Sequence, residues 1–342
     1  MRRSDLDASS RERLWQVYEL LTRESLDYVA SVASKRFSGI CNDGTPWQFC
    51  SVLDSSGTET VRFLTEVGAQ GVPLSERTAL TVSRVEQILK LLDRTDHDGA
   101  IDVIAKLTPR DDEQSAGLWV GCAANAAYGV RLRVYANNGW GSTTDRWLRL
   151  VEGFRGLAAG GFAAEVNALV QLLVPTFSPN GLAWTVPAST PRCKLYLRPI
   201  GEPWGPVREL AAAILGRRAG GFLASIEHAF GKALEAMPSK SLVASIAGPA
   251  RGGPVDLKLD LCGHCLLQND AAASSVVIKL CEALSLAPAP YQELLRDVRG
   301  CTRESDSSTV AFIGVGLSAE GSPRVNVYFT PNDSIPAFSE VA

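Results

Sequence analysis

A chain of 342 residues, 46% hydrophobic and 21% charged, has enough apolar material for one large core or two medium ones and lies in the ordinary range for a soluble globular protein. Its net charge of −3 excludes the broad positive field that attracts nucleic acid, so any positive potential must be local; the charged stretch Met1 to Arg13 lacks the apolar h-region of a signal peptide, and no run reaches the length of a membrane span. A cytoplasmic protein is expected, and the eight cysteines, scattered singly apart from Cys262-Gly263-His264-Cys265, suit buried thiols in a reducing compartment better than a disulfide framework.

In chain order, apolar residues at i, i+3 and i+4 first predict a helix at Glu12 to Lys35, inside an N-terminal helical segment spanning about 8–36. Pro46 to Leu53 then alternates, turns at Asp54-Ser55-Ser56-Gly57 and returns as Thr60 to Gly68, the pattern of a hairpin. Helical periodicity follows at Glu76 to Leu92 and Ile101 to Leu107, before a second hairpin of Gly117 to Ala124 with Gly129 to Tyr135. Helices at Thr144 to Phe154 and Gly161 to Leu173 precede the hairpin Gly181 to Pro187 with Arg192 to Arg198. Helices at Pro206 to Leu215 and Gly221 to Ala236 precede Leu242 to Ala247 with Val255 to Cys262, and helices at Ala271 to Leu284 and Ala289 to Val298 precede Thr309 to Leu317 with Arg324 to Phe329. The unit is helix, helix, strand, strand, and successive units begin roughly 60 to 70 residues apart, a period that marks an internal repeat.

The second strand of four units carries a recurring pattern of polar and aromatic residues: Arg131-Leu132-Arg133-Val134-Tyr135, Arg192-Cys193-Lys194-Leu195-Tyr196, Asp256-Leu257-Lys258-Leu259-Asp260 and Arg324-Val325-Asn326-Val327-Tyr328. Alternate side chains of a strand share a face, so cations and tyrosines would line one wall of one sheet. Helices lying in the connections cover only one face of that sheet. Closing about ten antiparallel strands into a barrel removes the edges, leaves the helices outside and turns the cation face toward a lumen too wide for its own side chains to fill. The predicted class is α+β: a ten-stranded antiparallel barrel ringed by helices, built from about five ααββ repeats.

In this arrangement the chain resembles the aromatic prenyltransferases of the dimethylallyltryptophan synthase type, whose barrel is named ABBA after the repeat. Arg192-x-Lys194-x-Tyr196 matches the family's Arg-x-Lys-x-Tyr diphosphate strand; Thr45-Pro46-Trp47-Gln48-Phe49 with Val61-Arg62-Phe63 is similar to its first hairpin, and Val325-Asn326-Val327-Tyr328 to its last strand. The resemblance runs from about Gly44 to Pro331 and implies a single domain over residues 1–342 with barrel repeats at about 44–331. It implies a bacterial-like enzyme of specialised metabolism that moves a dimethylallyl or geranyl group from its diphosphate to an indole or tryptophan-derived acceptor without a required metal or other cofactor. Arg62, Arg133, Arg192, Lys194 and Lys258, with Asn326, would hold the diphosphate; Tyr135, Tyr196 and Tyr328 would shield the allylic cation; Gln48 would face the acceptor. Its partners would be those two small molecules, with no nucleic acid and no membrane, in a monomer or homodimer.

The physical chemistry agrees with the donor half of that assignment. Arg and Lys in a partly desolvated chamber make short charge-assisted bonds to a diphosphate carrying about three negative charges, and the same contacts stabilise charge growing on the leaving group. Tyrosine faces favour a cation and keep water from it.

The acceptor half departs from the family. Gln48 stands where a glutamate is usual, and an amide accepts an N–H bond but is too weakly basic for ordinary proton abstraction. Asp260 stands where tyrosine is usual, either as an acceptor contact or base, or as one side of a salt bridge inside the barrel; Glu66 poses the same question. A phenolic or other fused heteroaromatic acceptor, or a non-catalytic ligand-binding relative, are the alternatives. Trp184 and Trp119 are candidates for the acceptor pocket if their parity faces inward, whereas Trp47, next to Gln48, should face out. Cys262-Gly263-His264-Cys265 lacks a second ligand pair for zinc, since His97 and His228 stand alone. The stretch around Asp96 and Asp98 lacks the glutamate of a calcium loop, and Asp111-Asp112-Glu113-Gln114-Ser115 fails as a DDxxD magnesium motif.

Overall fold

The computed structural model describes residues 6–25, 40, 45–56, 61–69, 71–94, 99–109, 117–126, 129–186, 191–301 and 309–330. Its elements follow the predicted order. Helix α1 (Ala8–Thr22) leads into β1 (Trp47–Asp54) and β2 (Val61–Glu66), then α2 (Leu74–Leu91), α3 (Ala100–Leu107), β3 (Leu118–Asn125) and β4 (Gly129–Asn137). Next come α4 (Thr143–Gly156), α5 (Gly160–Ala168), α6 (Val170–Thr176), β5 (Phe177–Val186) and β6 (Arg192–Pro199), followed by α7 (Trp204–Leu215), α8 (Ala219–Phe230), β7 (Leu242–Pro249) and β8 (Asp256–Cys262). The short turn α9 (Gly263–Leu266), α10 (Asp270–Ala283), α11 (Ala289–Cys301), β9 (Val310–Leu317) and β10 (Pro323–Phe329) complete the described part.

The ten strands pair antiparallel in sequence order, and β1 closes on β10 to make a barrel. Strict alternation divides each strand between two environments. On β8, Leu257, Leu259 and Leu261 are fully buried on the outer face while Asp256, Lys258, Asp260 and Cys262 point inward; on β10, Val325, Val327 and Phe329 face out and Arg324, Asn326 and Tyr328 face in. Each outer aliphatic side chain removed from water contributes about 1.5–3 kcal/mol, so the main core is the layer between barrel and helices. Tyr18 of α1 meets Phe63 edge-on with ring centroids 5.3 Å apart, and Tyr291 of α11 stacks on Phe329 at 6.0 Å.

Local chemistry sets the helix ends. Asp7 caps α1 by accepting from the Ser10 amide at 2.7 Å, and Ser142 and Asp145 form a reciprocal capping box on α4. The helix predicted at Gly221 to Ala236 ends at Phe230, because Gly231 takes the left-handed conformation of a C-cap, and residues Leu234–Ala236 form a separate 3₁₀ turn. The single helix predicted at Gly161 to Leu173 is likewise two, α5 and α6, broken at Leu169. Of the helix predicted at Glu12 to Lys35, the part beyond Ser25 lies outside the described residues, as do His97, Asp96, Asp98 and Asp111 to Ser115. Among the described residues no helix is long and apolar enough to cross a membrane.

Candidate active site

The pairing register assembles the wall. Tyr135 on β4 faces Ala183 on β5, which faces Lys194 on β6; Tyr196 faces Ser245, which faces Lys258, which reaches Arg324 through Gly316. Arg62 joins Tyr328 through Cys50, and Gln48 joins Arg133 through Leu64 and Gly121. Residues directly opposite in a ladder share a face, so Gln48, Arg62, Arg133, Tyr135, Lys194, Tyr196, Lys258, Asp260, Arg324, Asn326 and Tyr328 all line the lumen.

Lys258 is the hub. Its Nζ donates to Tyr328 Oη at 2.7 Å and sits 2.5 Å from Asp260 Oδ1. Asn326 Nδ2 donates to the same phenol oxygen at 3.2 Å, so the phenol proton of Tyr328 is directed away from both donors. Lys194 and Lys258 stand over the rings of Tyr196 and Tyr328 at 4.5 and 4.9 Å from the centroids, cation–π geometry. Tyr135 and Tyr196 lie 6.1 Å apart, tilted by 42°. Arg324 Nε and Asn326 Oδ1 are buried without a hydrogen-bond partner among the described residues; orphaned polar groups cost about 1–3 kcal/mol each, which a polar ligand would recover.

Glycines open room for this cluster. A Cβ at Gly314 would collide with Asp260 Oδ1 and lie 3.1 Å from Lys258 Nζ, one at Gly316 would lie 3.3 Å from Lys258 Cγ, and one at Gly121 would lie 2.9 Å from the Tyr135 ring. Gly314→Ala is therefore expected to lower the unfolding free energy by about 1–3 kcal/mol through overpacking. Denaturant titration reads it, and an alanine variant as stable as wild type would show that the pair moves aside freely.

The electrostatics separate the two lysines. Burial, then repulsion from Lys258, pulls Lys194 well below the ordinary lysine range. Burial also disfavours charge on Lys258, but the Asp260 carboxylate and Tyr328 outweigh it and hold that ammonium above the ordinary value. Arg324 is lowered by burial and by neighbouring Arg62, whereas burial raises Tyr196 and Tyr328, keeping both phenols neutral donors. The site is thus crowded with cations whose charges oppose one another.

Three comparisons bear on this barrel. The structure is similar to 5-dimethylallyltryptophan synthase from Streptomyces coelicolor, with a TM-score of 0.78 at 16% identity over 97% of this chain and 94% of that one. The chain has the dimethylallyltryptophan synthase fold. A 6-dimethylallyltryptophan synthase from Micromonospora olivasterospora, solved in complex with DMASPP and Trp, gives 0.71 at 20% identity, covering 88% of this chain and 86% of that one. AnaPT from Neosartorya fischeri gives 0.67 at 15% identity, covering 96% and 89%. No family model and no curated protein sequence matches the chain.

Within this dimethylallyltryptophan synthase fold, some predicted residues sit as expected and others do not. Trp184 pairs with Cys193 and Val134 in the outer row, so it belongs to the barrel–helix core and does not face the lumen, where an acceptor-pocket residue was expected. Trp119 is the lumenal tryptophan: it faces Tyr135, and its Nε1 donates to Glu66 Oε2 at 3.0 Å. Glu66 in turn is 1% exposed and paired with Arg77 of α2 at 2.7 Å, a structural anchor at the barrel end. Arg192, two residues before Lys194 in the same row of β6, pairs with Asp256 at 2.6 Å. Asp260 is the ion-pair partner of Lys258, the salt-bridge alternative. Trp47 pairs with Thr65 on the face opposite Gln48, as alternation requires. Sequence reasoning set Arg324 within the repeat but gave it no role; its register with Lys258 supplies the missing signal. An apolar groove of about 660 Å3 between α4 and α5, lined by Trp147, Phe154 and Val166, lies outside the barrel and contains none of this machinery.

Proposed function

We propose that this chain is an aromatic prenyltransferase, transferring an allylic group from its diphosphate to an indole or tryptophan-derived acceptor. One observation carries the reading: five inward cations, Arg62, Arg133, Lys194, Lys258 and Arg324, interleaved with Tyr135, Tyr196 and Tyr328 inside a closed barrel. The solved relatives with this fold that hold donor analogue and tryptophan support it.

In this reading the cations and Asn326 grip the diphosphate, and Tyr328 adds its phenol proton. The C1–O bond breaks with its electron pair going to the diphosphate, whose growing charge the preorganised cations stabilise. The tyrosine faces hold the allylic cation and exclude water while the arene attacks to form the new C–C bond. The ring proton then leaves to the diphosphate or another nearby base, since Gln48 orients the acceptor without serving as the base. Lysine and arginine supply the charge neutralisation that a metal ion provides elsewhere. The neutral amide at Gln48 favours a second acceptor class, phenols or other fused heteroaromatics.

Purified protein incubated with dimethylallyl and geranyl diphosphates and a panel of indoles and phenols, with and without EDTA, tests the reading. The expected result is a prenylated arene with release of one diphosphate, at a rate EDTA leaves unchanged. Tight diphosphate binding without product from any acceptor would overturn the catalytic assignment, and loss of turnover in EDTA would overturn the metal-free one.

A further inference from the structure

We propose that Asn326 is a positioning residue: together with Lys258 it fixes the hydroxyl of Tyr328 so that its single hydrogen points at the bound diphosphate. The inference rests on the donor half of the proposed function, a diphosphate held in the lumen. Among the described residues both hydrogen-bond partners of Tyr328 Oη are donors, Lys258 Nζ at 2.7 Å and Asn326 Nδ2 at 3.2 Å. A phenol oxygen accepts through its lone pairs and carries one hydrogen, which turns to suit its neighbours. With two N–H groups on the accepting side, that hydrogen is turned toward the chamber, and both bonds polarise it as a donor.

The barrel register builds this tripod. Asn326 and Tyr328 stand two apart on β10 and share its inner face, opposite Val52 and Cys50 of β1. Asn326 faces Gly314 on β9, which in turn faces Asp260 on β8. Lys258 Nζ lies 3.1 Å from where a Gly314 Cβ would stand, so the missing side chain lets the ammonium cross to the β10 phenol.

Burial separates the two roles. Asn326 is 1% exposed and Tyr328 is half-buried, so the amide has almost no surface to offer a ligand and the phenol does. The grip of Asn326 on the diphosphate is therefore exerted chiefly through Tyr328. Residue type agrees with this. In β4 and β6 the residue two before the tyrosine is a cation, Arg133 or Lys194; at Asn326 an amide donates to the phenol without adding a charge beside Lys258. Burial raises Tyr328, so the phenol stays protonated, donates a hydrogen bond to a diphosphate oxygen and transfers no proton.

A double-mutant cycle of Asn326→Ala and Tyr328→Phe tests the role, read by calorimetric binding of inorganic diphosphate and by kcat and KM for prenyl transfer. Asn326→Ala should weaken diphosphate binding about tenfold when Tyr328 is present and no more than about twofold in the Tyr328→Phe background, the non-additivity of residues that act as one unit. The same coupling should appear in kcat with the acceptor KM unchanged, a split that general loosening of the barrel would not give. Asn326→Asp keeps the side chain's shape and repeats the cycle if the alanine variant folds poorly; its carboxylate accepts the phenol hydrogen, so its cost should again be larger with Tyr328 than in the Tyr328→Phe background. Equal costs in the two backgrounds would overturn the positioning role and leave the donor site standing. Binding without turnover would sink the transferase reading alone, and the binding cycle still decides; a wild-type chain that binds no diphosphate would overturn the donor site and this inference with it.

Discussion

Lys194→Ala is expected to reduce prenyl-transfer turnover by about 10²–10³-fold, the cost of removing one preorganised donor from a site where charge develops. Lys194 is 7% exposed and rises from the middle of β6 over the Tyr196 ring, so no solvent-held cation replaces it. Charge on the departing diphosphate grows along the reaction, and kcat should therefore fall together with kcat/KM. The same residue predicts a pH dependence. Its folded value is depressed by burial and by Lys258, and diphosphate binding requires the ammonium, so binding takes up a proton. Donor affinity should fall as pH rises through the depressed Lys194 value, below the ordinary lysine range. In Lys194→Ala that slope should flatten. Calorimetry with inorganic diphosphate in buffers of different ionisation enthalpy reads the proton uptake; wild-type turnover in the variant, or an unchanged pH slope, would remove Lys194 from the donor site.

The barrel was legible because its period changes so sharply. Leu257, Leu259 and Leu261 alternating with Lys258 and Asp260 admit one assignment, a strand with an apolar outer face. Parity within a strand was equally readable where a charge marked the inner face, which is why Arg133, Lys194 and, next but one to Arg324, Asn326 could be placed on the lumenal side. It failed at Trp184, whose neighbours Ala183 and Thr185 carry no charge; only the pairing of Ala183 with Lys194 shows which of them faces in. The early start of β5 at Phe177 was hidden by Pro179, which reads as a turn but sits at an irregularity of the strand pairing, where its missing N–H does no harm. Ion pairing between distant strands was the other blind spot. Asp256 and Arg192 are 64 residues apart in sequence, and nothing local shows that this arginine has a carboxylate partner. Gly314 and Gly316 did offer a signal: glycine at every second position of a strand marks a close approach by a neighbour, here Lys258 and Asp260.

Asp260→Asn should loosen the free protein and tighten its grip on diphosphate at the same time. The carboxylate lies at the centre of the cation wall, 2.5 Å from Lys258 Nζ, and it acts electrostatically on Lys194, Tyr196 and Tyr328 as well. With no ligand it is the internal counter-anion of a buried ammonium. Removing one side of a buried pair costs about 3–5 kcal/mol because the other charge is left uncompensated. A bound diphosphate supplies that compensation, so the donor no longer has to displace a competing carboxylate. The asparagine variant should unfold at lower denaturant than wild type, bind inorganic diphosphate about tenfold more tightly at neutral pH, equivalent to about 1.4 kcal/mol, and gain more stability from saturating diphosphate than wild type does. The gain should fade at alkaline pH, since Asp260 also helps keep both lysines protonated. If Asp260 were instead a direct base for the acceptor's proton, the variant would lose turnover with diphosphate affinity unchanged. Denaturation and calorimetry with and without diphosphate separate these outcomes, and weaker diphosphate binding by Asp260→Asn at neutral pH would refute the counter-anion role.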